Sequence, residues 1–308
     1  MRLFRNLDLP NSYQNTVIAI GNFDGVHLGH HSVIKKALDI GRNEKKKVGV
    51  LTFEPHPKCF FKKDFRYFRI TPFKQKMQVL KSTGLEFVIN LRFDSEFVKI
   101  SADSFLEEIL FRKLQVSIVV TGYDFVFGNS QEGNINLIKT FVSQTKKFQY
   151  HEVGKFEIDG QEISSSAIRD FLRTGQLDKA NTYLSREWFI ESRVVGGEKK
   201  AREIGYKTAN FEIFKFCNIL HGVYKVLLKI DGYKKVFLGI ANYGVKPTFK
   251  KTEPILEVHI FDFDKDIYGK KVKIYFKYFL RNEKKFESVK KLKTQIAQDI
   301  KMIKKQND

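Results

Sequence analysis

Ten consecutive residues, Gly21-Asn22-Phe23-Asp24-Gly25-Val26-His27-Leu28-Gly29-His30, constrain this chain more than any other stretch. Before them stands an apolar run, Val17-Ile18-Ala19-Ile20, that reads as a buried strand. After them an amphipathic run, Ser32 to Asn43, reads as a helix. A glycine-rich turn therefore joins a strand to a helix N-terminus. The unsatisfied N–H groups and dipole of that terminus favour an anion. Gly25 and Gly29 are expected to let a phosphate approach the backbone, and His27 and His30 add imidazole donors. The turn is expected to hold a nucleotide phosphate.

Strand and helix patterns alternate beyond it. Val48 to Phe53, Phe87 to Leu91, Val116 to Thr121 and Phe148 to Val153 read as strands. Between them, Thr71 is expected to cap a helix that begins at Pro72 and closes at Gly84. Ser101 to Lys113 and Ile135 to Lys147 read as further helices. This order predicts an α/β unit: a Rossmann-like, doubly wound parallel sheet with ligands at the carboxyl ends of its strands. Two more helices, Ser165 to Arg173 and Leu177 to Ser185, follow.

After Trp188 the texture changes to β segments without intervening helices. They are Phe189 to Val195, Ala209 to Phe214, Val223 to Ile230, Lys235 to Ala241, Leu256 to Phe261 and Val272 to Phe279. Asp231-Gly232 is a hairpin turn signal. A small antiparallel β-barrel is expected, closed by a helix over Ser288 to Lys305 with Val289, Leu292, Ile296, Ile300 and Ile303 on one face. The change in texture places a domain boundary near Ser185, giving domains 1–185 and 186–308. At 308 residues the chain can bury a core in each.

The net charge of +20 raises the question of a nucleic-acid partner. Its lysines are spread along the whole chain and no arginine-rich arm or nucleic-acid motif occurs. Lysine-rich composition, with a contribution from binding anionic nucleotides, is the preferred account, and no nucleic acid is expected. No apolar run is long enough for a membrane span, and no apolar signal region precedes Pro10. Cys59 and Cys217 form no metal-spaced pair, which fits a reducing cytoplasm. No protein partner is indicated.

A second constellation is Ile163-Ser164-Ser165-Ser166-Ala167-Ile168-Arg169, which opens a helix. Ser165 or Ser166 can cap it, its free N–H groups can hold a leaving phosphate, and Arg169 can reach a pyrophosphate as a bidentate donor. Taken locally, a serine cap with a surface arginine is the better account of the run. Its position after the last strand of the sheet selects the phosphate reading. Two histidines flanking a glycine after Asn-Phe-Asp-Gly resemble the nucleotidyltransferase superfamily.

Two further motifs complete a pattern: Thr52-Phe53-Glu54-Pro55-His56-Pro57 and Gly122-Tyr123-Asp124-Phe125-Val126-Phe127-Gly128. In order and spacing the chain resembles the prokaryotic bifunctional riboflavin kinase/FMN adenylyltransferases, also called FAD synthetases. The resemblance implies that the first domain transfers an adenylyl group from ATP to FMN. It assigns Gly21, Asn22, Phe23, Asp24, His27, His30, Ser164, Ser165, Ser166 and Arg169 to ATP, with His30 catalytic. It assigns Pro55, His56, Pro57, Asp124 and Phe125 to the flavin and acceptor side. On local grounds alone Thr52 to Pro57 is a strand end with a rigid turn, and His56 could be simply exposed. The family usually has arginine where Val126 stands and Thr-Arg where Ser166-Ala167 stands.

In the second domain Gly205-Tyr206-Lys207-Thr208-Ala209-Asn210 resembles the riboflavin kinase motif Gly-Phe-Pro-Thr-Ala-Asn. The resemblance implies phosphorylation of riboflavin by ATP with Mg²⁺, and the hydroxyl of Thr208 and amide of Asn210 are hard oxygen ligands suited to that ion. It makes Glu257 the base for the riboflavin 5′-hydroxyl; by alternation alone Glu257 is an exposed strand glutamate. Arg202, Thr208, Asn210 and Arg281 are expected at ATP or flavin. Lys207 and Ala201 replace a proline and a glycine, and Gly196-Gly197 stands where the family has His-Gly. A single-activity FMN adenylyltransferase with a degenerate, flavin-binding barrel is the alternative. Riboflavin, FMN and ATP are the expected small-molecule partners.

Overall fold

The computed structural model describes residues 1–196, 205–245 and 253–305. Contacts divide the chain into two compact units, Met1–Phe65 with Thr71–Ser165, and Arg66–Ile70 with Ser166–Asp308.

The first unit contains strands β1 (Arg2–Phe4), β2 (Val17–Ile20), β3 (Val48–Glu54), β4 (Phe87–Arg92), β5 (Ile118–Gly122) and β6 (Gln149–Val153). They form one sheet in the order β1-β4-β3-β2-β5-β6, and every pairing is parallel. Its helices are α1 (Leu28–Asn43), α2 (Pro57–Lys62), α3 (Phe73–Lys81), α4 (Ala102–Ser104) and α5 (Ile135–Thr145). Alternation along β2 feeds two cores. Val17 and Ala19 pack with Val33, Ile34 and Ala37 of α1 and Leu80 of α3. Ile18 and Ile20 pack with Phe105, Leu106, Ile109 and Leu110, and with Ile138 of α5. Covering both faces explains the near-continuous apolar strands, as expected for a doubly wound sheet.

The strand order has a consequence for function. The chain runs β2, β3, β4 toward one edge and then β5, β6 toward the other. The order reverses between β2 and β5, so the loops leaving their carboxyl ends, Gly21 to His30 and Tyr123 to Phe127, flank the crevice where such sheets take ligands.

Several elements differ from the sequence reading. The helix over Ser101 to Lys113 is α4 followed by a π-helical run, Phe105–Lys113, in which Leu114 N–H donates to Ile109 O at 2.9 Å. Thr71 does not cap α3: Pro72 is the N-cap, without a side-chain bond, and the Thr71 hydroxyl is used elsewhere. A two-stranded hairpin, β7 (Glu157–Ile158) with β8 (Gln161–Glu162), and the short strand β1 are too brief to carry a period.

In the second unit α6 (Ser165–Arg173) and α7 (Leu177–Leu184) lead into a closed barrel. Its strands are β9 (Phe189–Val195), β10 (Thr208–Phe211), β11 (Gly222–Ile230), β12 (Val236–Val245), β13 (Pro254–Ile260) and β14 (Lys271–Arg281). They close in the order β10-β13-β12-β11-β14-β9 with antiparallel pairing throughout. The segment Arg66–Ile70 belongs to this unit because its backbone is bonded there. Tyr67 N–H donates to Phe214 O at 2.7 Å, Cys217 N–H to Arg69 O at 2.6 Å and Trp188 Nε1–H to Ile70 O at 3.0 Å. The division expected near Ser185 follows strand and helix pattern; by contacts, residues 166–185 also group with the barrel.

The terminal helix α8 (Val289–Lys305) buries the expected face except at its first residue: Leu292, Ile296 and Ile300 are half-buried, and Ile300 and Ile303 pack with Val223, Ile240 and Phe261. Val289 is exposed, while Ile303 and Asp299 are buried. Asp299 is 1% exposed because the Arg281 guanidinium clamps it: Nε lies 3.1 Å from both carboxylate oxygens and Nη2 2.7 Å from Oδ2. Gln295 Nε2 adds a bond to Oδ1 at 2.9 Å. Removing one partner of such a pair strands a charge in the interior. Asp299→Ala is therefore expected to destabilise the barrel by about 3 kcal/mol in chemical denaturation. The double variant Arg281→Met/Asp299→Leu should recover most of that loss.

Candidate functional site

The expected start of α1 at Ser32 is four residues late, and the reason is the histidine pair. His27 is the N-cap of a helix beginning at Leu28. His30 N–H donates to His27 Nδ1 at 3.3 Å, and His27 N–H donates to His30 Nδ1 at 3.3 Å. This is a capping box built from two imidazoles in place of the usual hydroxyl and carboxylate. The rings stack with centroids 3.6 Å apart and planes 22° apart. Because each Nδ1 accepts a backbone N–H, the network assigns the proton of each neutral ring to Nε2. Two parallel Nε2–H donors at a helix N-terminus suit a phosphate.

The loop before the cap is strained. Phe23 (φ 50°), Gly25 (φ 87°) and Val26 (φ 44°) all lie in the left-handed region. Only glycine takes it freely, and the other two cost about 1–3 kcal/mol each. Buried contacts hold them there. Phe23 and Val26 are almost completely enclosed. The buried Asp24 carboxylate accepts Thr71 N–H at 3.1 Å, and Thr71 Oγ1 in turn accepts Gly25 N–H at 2.8 Å. Asp24 thus acts on the loop from inside. Ser165, the first residue within α6 rather than a cap before it, donates its hydroxyl to Asp24 O at 2.8 Å. Ser164 is half-buried and Ser166 exposed.

Gly29 also has a packing role. Its φ is ordinary, but a Cβ there would sit 3.2 Å from the His27 ring and 3.2 Å from Ile163 O. Its bare Cα makes room for the imidazole. Gly21 is bonded through N–H to Leu51 O at 3.1 Å.

Sequence reasoning missed Lys76. It is 1% exposed, and its Nζ donates to Asn22 O at 3.2 Å and Thr52 Oγ1 at 3.0 Å. Thr52 Oγ1 also donates to Asn22 O at 3.2 Å. The signal was present: Phe73, Met77 and Leu80 mark the inward face of α3 at helical spacing, and Lys76 stands on that face.

The other candidates of the first unit follow neighbouring strands. Pro55, His56 and Pro57 follow β3. His56 is buried and caps α2, its Nδ1 accepting Lys58 N–H at 3.2 Å, so the exposed alternative does not hold. Asp124 is exposed after β5, and Phe125 stacks on Phe127 with centroids 5.4 Å apart. The Tyr123 hydroxyl donates to Glu162, and burial with this carboxylate raises its pKa far above the ordinary phenol value. In the second unit the Arg169 guanidinium lies 4.0 Å from the Phe68 ring centroid, and its Nε donates to Phe68 O at 2.8 Å.

The barrel gathers a second set. Asn210 pairs across the ladder with Glu257, and Glu257 with Asn242; Thr208 pairs with His259. Directly opposed residues share a face, so Thr208, Asn210, Glu257, His259 and Asn242 form one polar surface. The alternate row, Ala209, Val258, Ala241 and Tyr224, is buried. Asn242 is a member that sequence reading missed; only the register brings it in. Val223 and Arg281 continue the same row, and Arg281 is engaged by Asp299 as described. Arg202, Ala201 and Gly197 lie outside the described residues.

A parallel sheet with a strained loop and a histidine-capped helix at its switch point, followed in the chain by a closed antiparallel barrel, defines a two-domain enzyme of the nucleotidyltransferase-plus-kinase class. Residues 9–167 match the FAD synthetase family model and residues 184–307 the riboflavin kinase family model. A bifunctional riboflavin kinase/FMN adenylyltransferase of Buchnera aphidicola subsp. Schizaphis graminum is 34% identical over 99% of this chain and 98% of its own. The Escherichia coli K12 protein of the same description is 34% identical over 97% and 96%. A crystal structure described as a macrolide-efflux protein from Streptococcus pneumoniae superposes with TM-score 0.85 at 28% identity, covering 98% of both chains. The chain belongs to the bifunctional riboflavin kinase/FMN adenylyltransferase family, and carries both enzymatic domains. Among the described residues no helix is long and apolar enough to cross a membrane.

Glycine early in a helix is normally improved by alanine, by about 0.5–1 kcal/mol. Gly29→Ala is expected to do the opposite for function. The new methyl displaces the His27 ring, and FAD formation from FMN should fall about tenfold or more without a matching loss of thermal stability.

Proposed function

We propose that the first unit moves the adenylyl group of ATP onto the phosphate of FMN, and that the barrel makes that FMN from riboflavin. The observation that carries the first half is the reciprocal imidazole cap on α1 beside the sheet's switch point. In the adenylyl transfer a phosphate oxygen of FMN attacks the α-phosphorus of ATP in line, and pyrophosphate departs. Charge grows on the phosphate oxygens, so a site of fixed donors suffices without a covalent intermediate. His27 and His30 offer Nε2–H donors, and Gly21, Asn22, Phe23 and Asp24 shape the loop that presents backbone N–H groups. Ser164, Ser165 and Ser166 contribute hydroxyls and N–H groups, and Arg169 a guanidinium for the leaving pyrophosphate. Pro55, His56, Pro57, Asp124 and Phe125 are assigned to the FMN side.

For the kinase half, the cross-strand pairing of Asn210 with Glu257 is the supporting observation. Glu257 takes the proton of the riboflavin 5′-hydroxyl as that oxygen attacks the γ-phosphorus and ADP leaves. Thr208 and Asn210 would hold Mg²⁺. They offer a hydroxyl and an amide oxygen on one face, and among the described residues no cluster of three His, Cys, Asp or Glu competes for a metal. Two neutral oxygens suit an ion that arrives with nucleotide phosphates rather than a standing metal site. When bound, Mg²⁺ neutralises charge on the phosphate oxygens. Arg281 fixes α8 through Asp299 beside this surface. The match of residues 184–307 to the riboflavin kinase family favours two activities over an adenylyltransferase with a degenerate barrel. We place the enzyme in the cytoplasm, in keeping with two buried cysteines that form no disulfide, and with riboflavin, FMN and ATP as its partners.

The test is incubation of the pure protein with ATP, Mg²⁺ and either riboflavin or FMN, with products resolved by chromatography. Riboflavin should give FMN and then FAD. FAD from FMN with no product from riboflavin would leave only the adenylyltransferase. His30→Ala should lower FAD formation by about 100-fold or more and spare FMN formation. Glu257→Ala should do the reverse. Loss of both activities in either folded variant would contradict two separate sites.

A further inference from the structure

We infer that Lys76 is a positioning residue for adenylyl transfer. It holds the Asn22–Phe23 peptide so that the Phe23 N–H faces the nucleotide phosphates. The inference rests on the adenylyltransferase reading of the first unit and extends it to a residue on another helix.

Three observations converge on this peptide. First, the Asn22 carbonyl oxygen accepts two bonds from beneath the loop, from Lys76 Nζ at 3.2 Å and Thr52 Oγ1 at 3.2 Å, and these two donors are themselves joined at 3.0 Å. Second, both donors are buried, with Lys76 1% and Thr52 0% exposed, whereas the Asn22 side chain is exposed. In a trans peptide the C=O and the following N–H point in opposite directions. A carbonyl drawn inward by the ammonium therefore sends the Phe23 N–H the other way, away from Lys76 and Thr52. Third, Phe23 has φ 50°, a conformation that a phenylalanine does not choose. Turning this peptide plane by about 180° would take φ to about −130°, within the broad β region. The loop thus has a relaxed alternative in which the N–H faces inward and no longer serves an anion. The ammonium and the hydroxyl select the strained one.

The chemistry gives the burial of Lys76 a purpose. An ammonium at 1% exposure is unfavourable unless its donors are used. Here they are spent on a backbone carbonyl and a hydroxyl, which orient a phosphate donor before substrate arrives. Such preorganised donors act where charge develops in the reaction.

The experiment uses the full-length enzyme with Lys76→Met and, separately, Thr52→Val. The riboflavin kinase rate of the same preparation reports folding. Wild-type enzyme must first form FAD from FMN; if it does not, the adenylyltransferase reading itself fails. Given that activity, Lys76→Met should lower kcat/KM for ATP in FAD formation by about 100-fold, while KM for FMN and the kinase rate stay within about twofold. It should also weaken binding of inorganic pyrophosphate, measured by calorimetry. Thr52→Val leaves all charges in place, removes one of the two bonds to the carbonyl, and should show a smaller loss in the same parameter. A crystal structure of Lys76→Met should show a negative φ at Phe23. Unchanged ATP kinetics in Lys76→Met would overturn the inference. So would a loss in Lys76→Met with Thr52→Val at wild-type level, because charge alone would then explain it. Proportional loss of both enzymatic activities would also overturn it, as a general structural defect.

Discussion

The first turn of α1 depends on one arrangement: two imidazoles that each accept the other's backbone N–H. Helix N-termini leave such donors unsatisfied, and a serine or aspartate would serve them as well. Imidazole does something a hydroxyl cannot. Capping uses one ring nitrogen and leaves a second on the far side of the ring, with the proton assigned to it by the cap itself. The bond that starts the helix also sets the tautomer of the two rings. The neighbouring features make room for that bond: bare Gly29 beside the His27 ring, and a loop bent through Phe23, Gly25 and Val26.

Strain of that kind needs support, and here it comes from other strands and helices. Thr71 ties Gly25 to Asp24, Ser165 bonds the carbonyl of Asp24, and Lys76 with Thr52 draws in the carbonyl of Asn22. These residues are distant in sequence and meet only because parallel strands deliver their loops to one edge of the sheet. Local reading found the loop because its glycines and histidines are consecutive. It assigned Thr71 to a helix cap because threonine before proline is a local pattern. It passed over Lys76 because a lysine is ordinarily exposed.

The same distinction explains which parts of the fold were legible. Strands buried on both faces announce themselves as apolar runs, and the barrel strands as alternation, so their existence and order could be read. Three-residue β1, the β7–β8 hairpin and the short α2 carry no period. The i→i−5 bonding of Phe105–Lys113 leaves no compositional trace. In the barrel, the motif at Thr208 to Asn210 and the glutamate at 257 were found as separate sequence features. Their common face, and the place of Asn242 on it, followed only from the antiparallel register. Arg281 carries a contact that its motif did not announce: its guanidinium is bound by Asp299, a carboxylate that appears in sequence as a polar interruption of a helix face.

Net charge illustrates how little a sum reveals about a site. With a formal charge of +20, the chain could be taken for a polyanion binder, yet the lysines are scattered and most can be solvated. An ammonium in water is screened within about 10 Å at ordinary salt and orients nothing. Lys76 contributes one unit to that sum and is indistinguishable from the rest in composition. Burial removes its water, and its N–H donors are then met by fixed partners. One of those partners is the carbonyl of a strained peptide, and satisfying the lysine and setting the loop become a single event. What makes this lysine specific is the missing solvent around it, which links a helix face in the middle of the first unit to the orientation of one N–H in the phosphate loop.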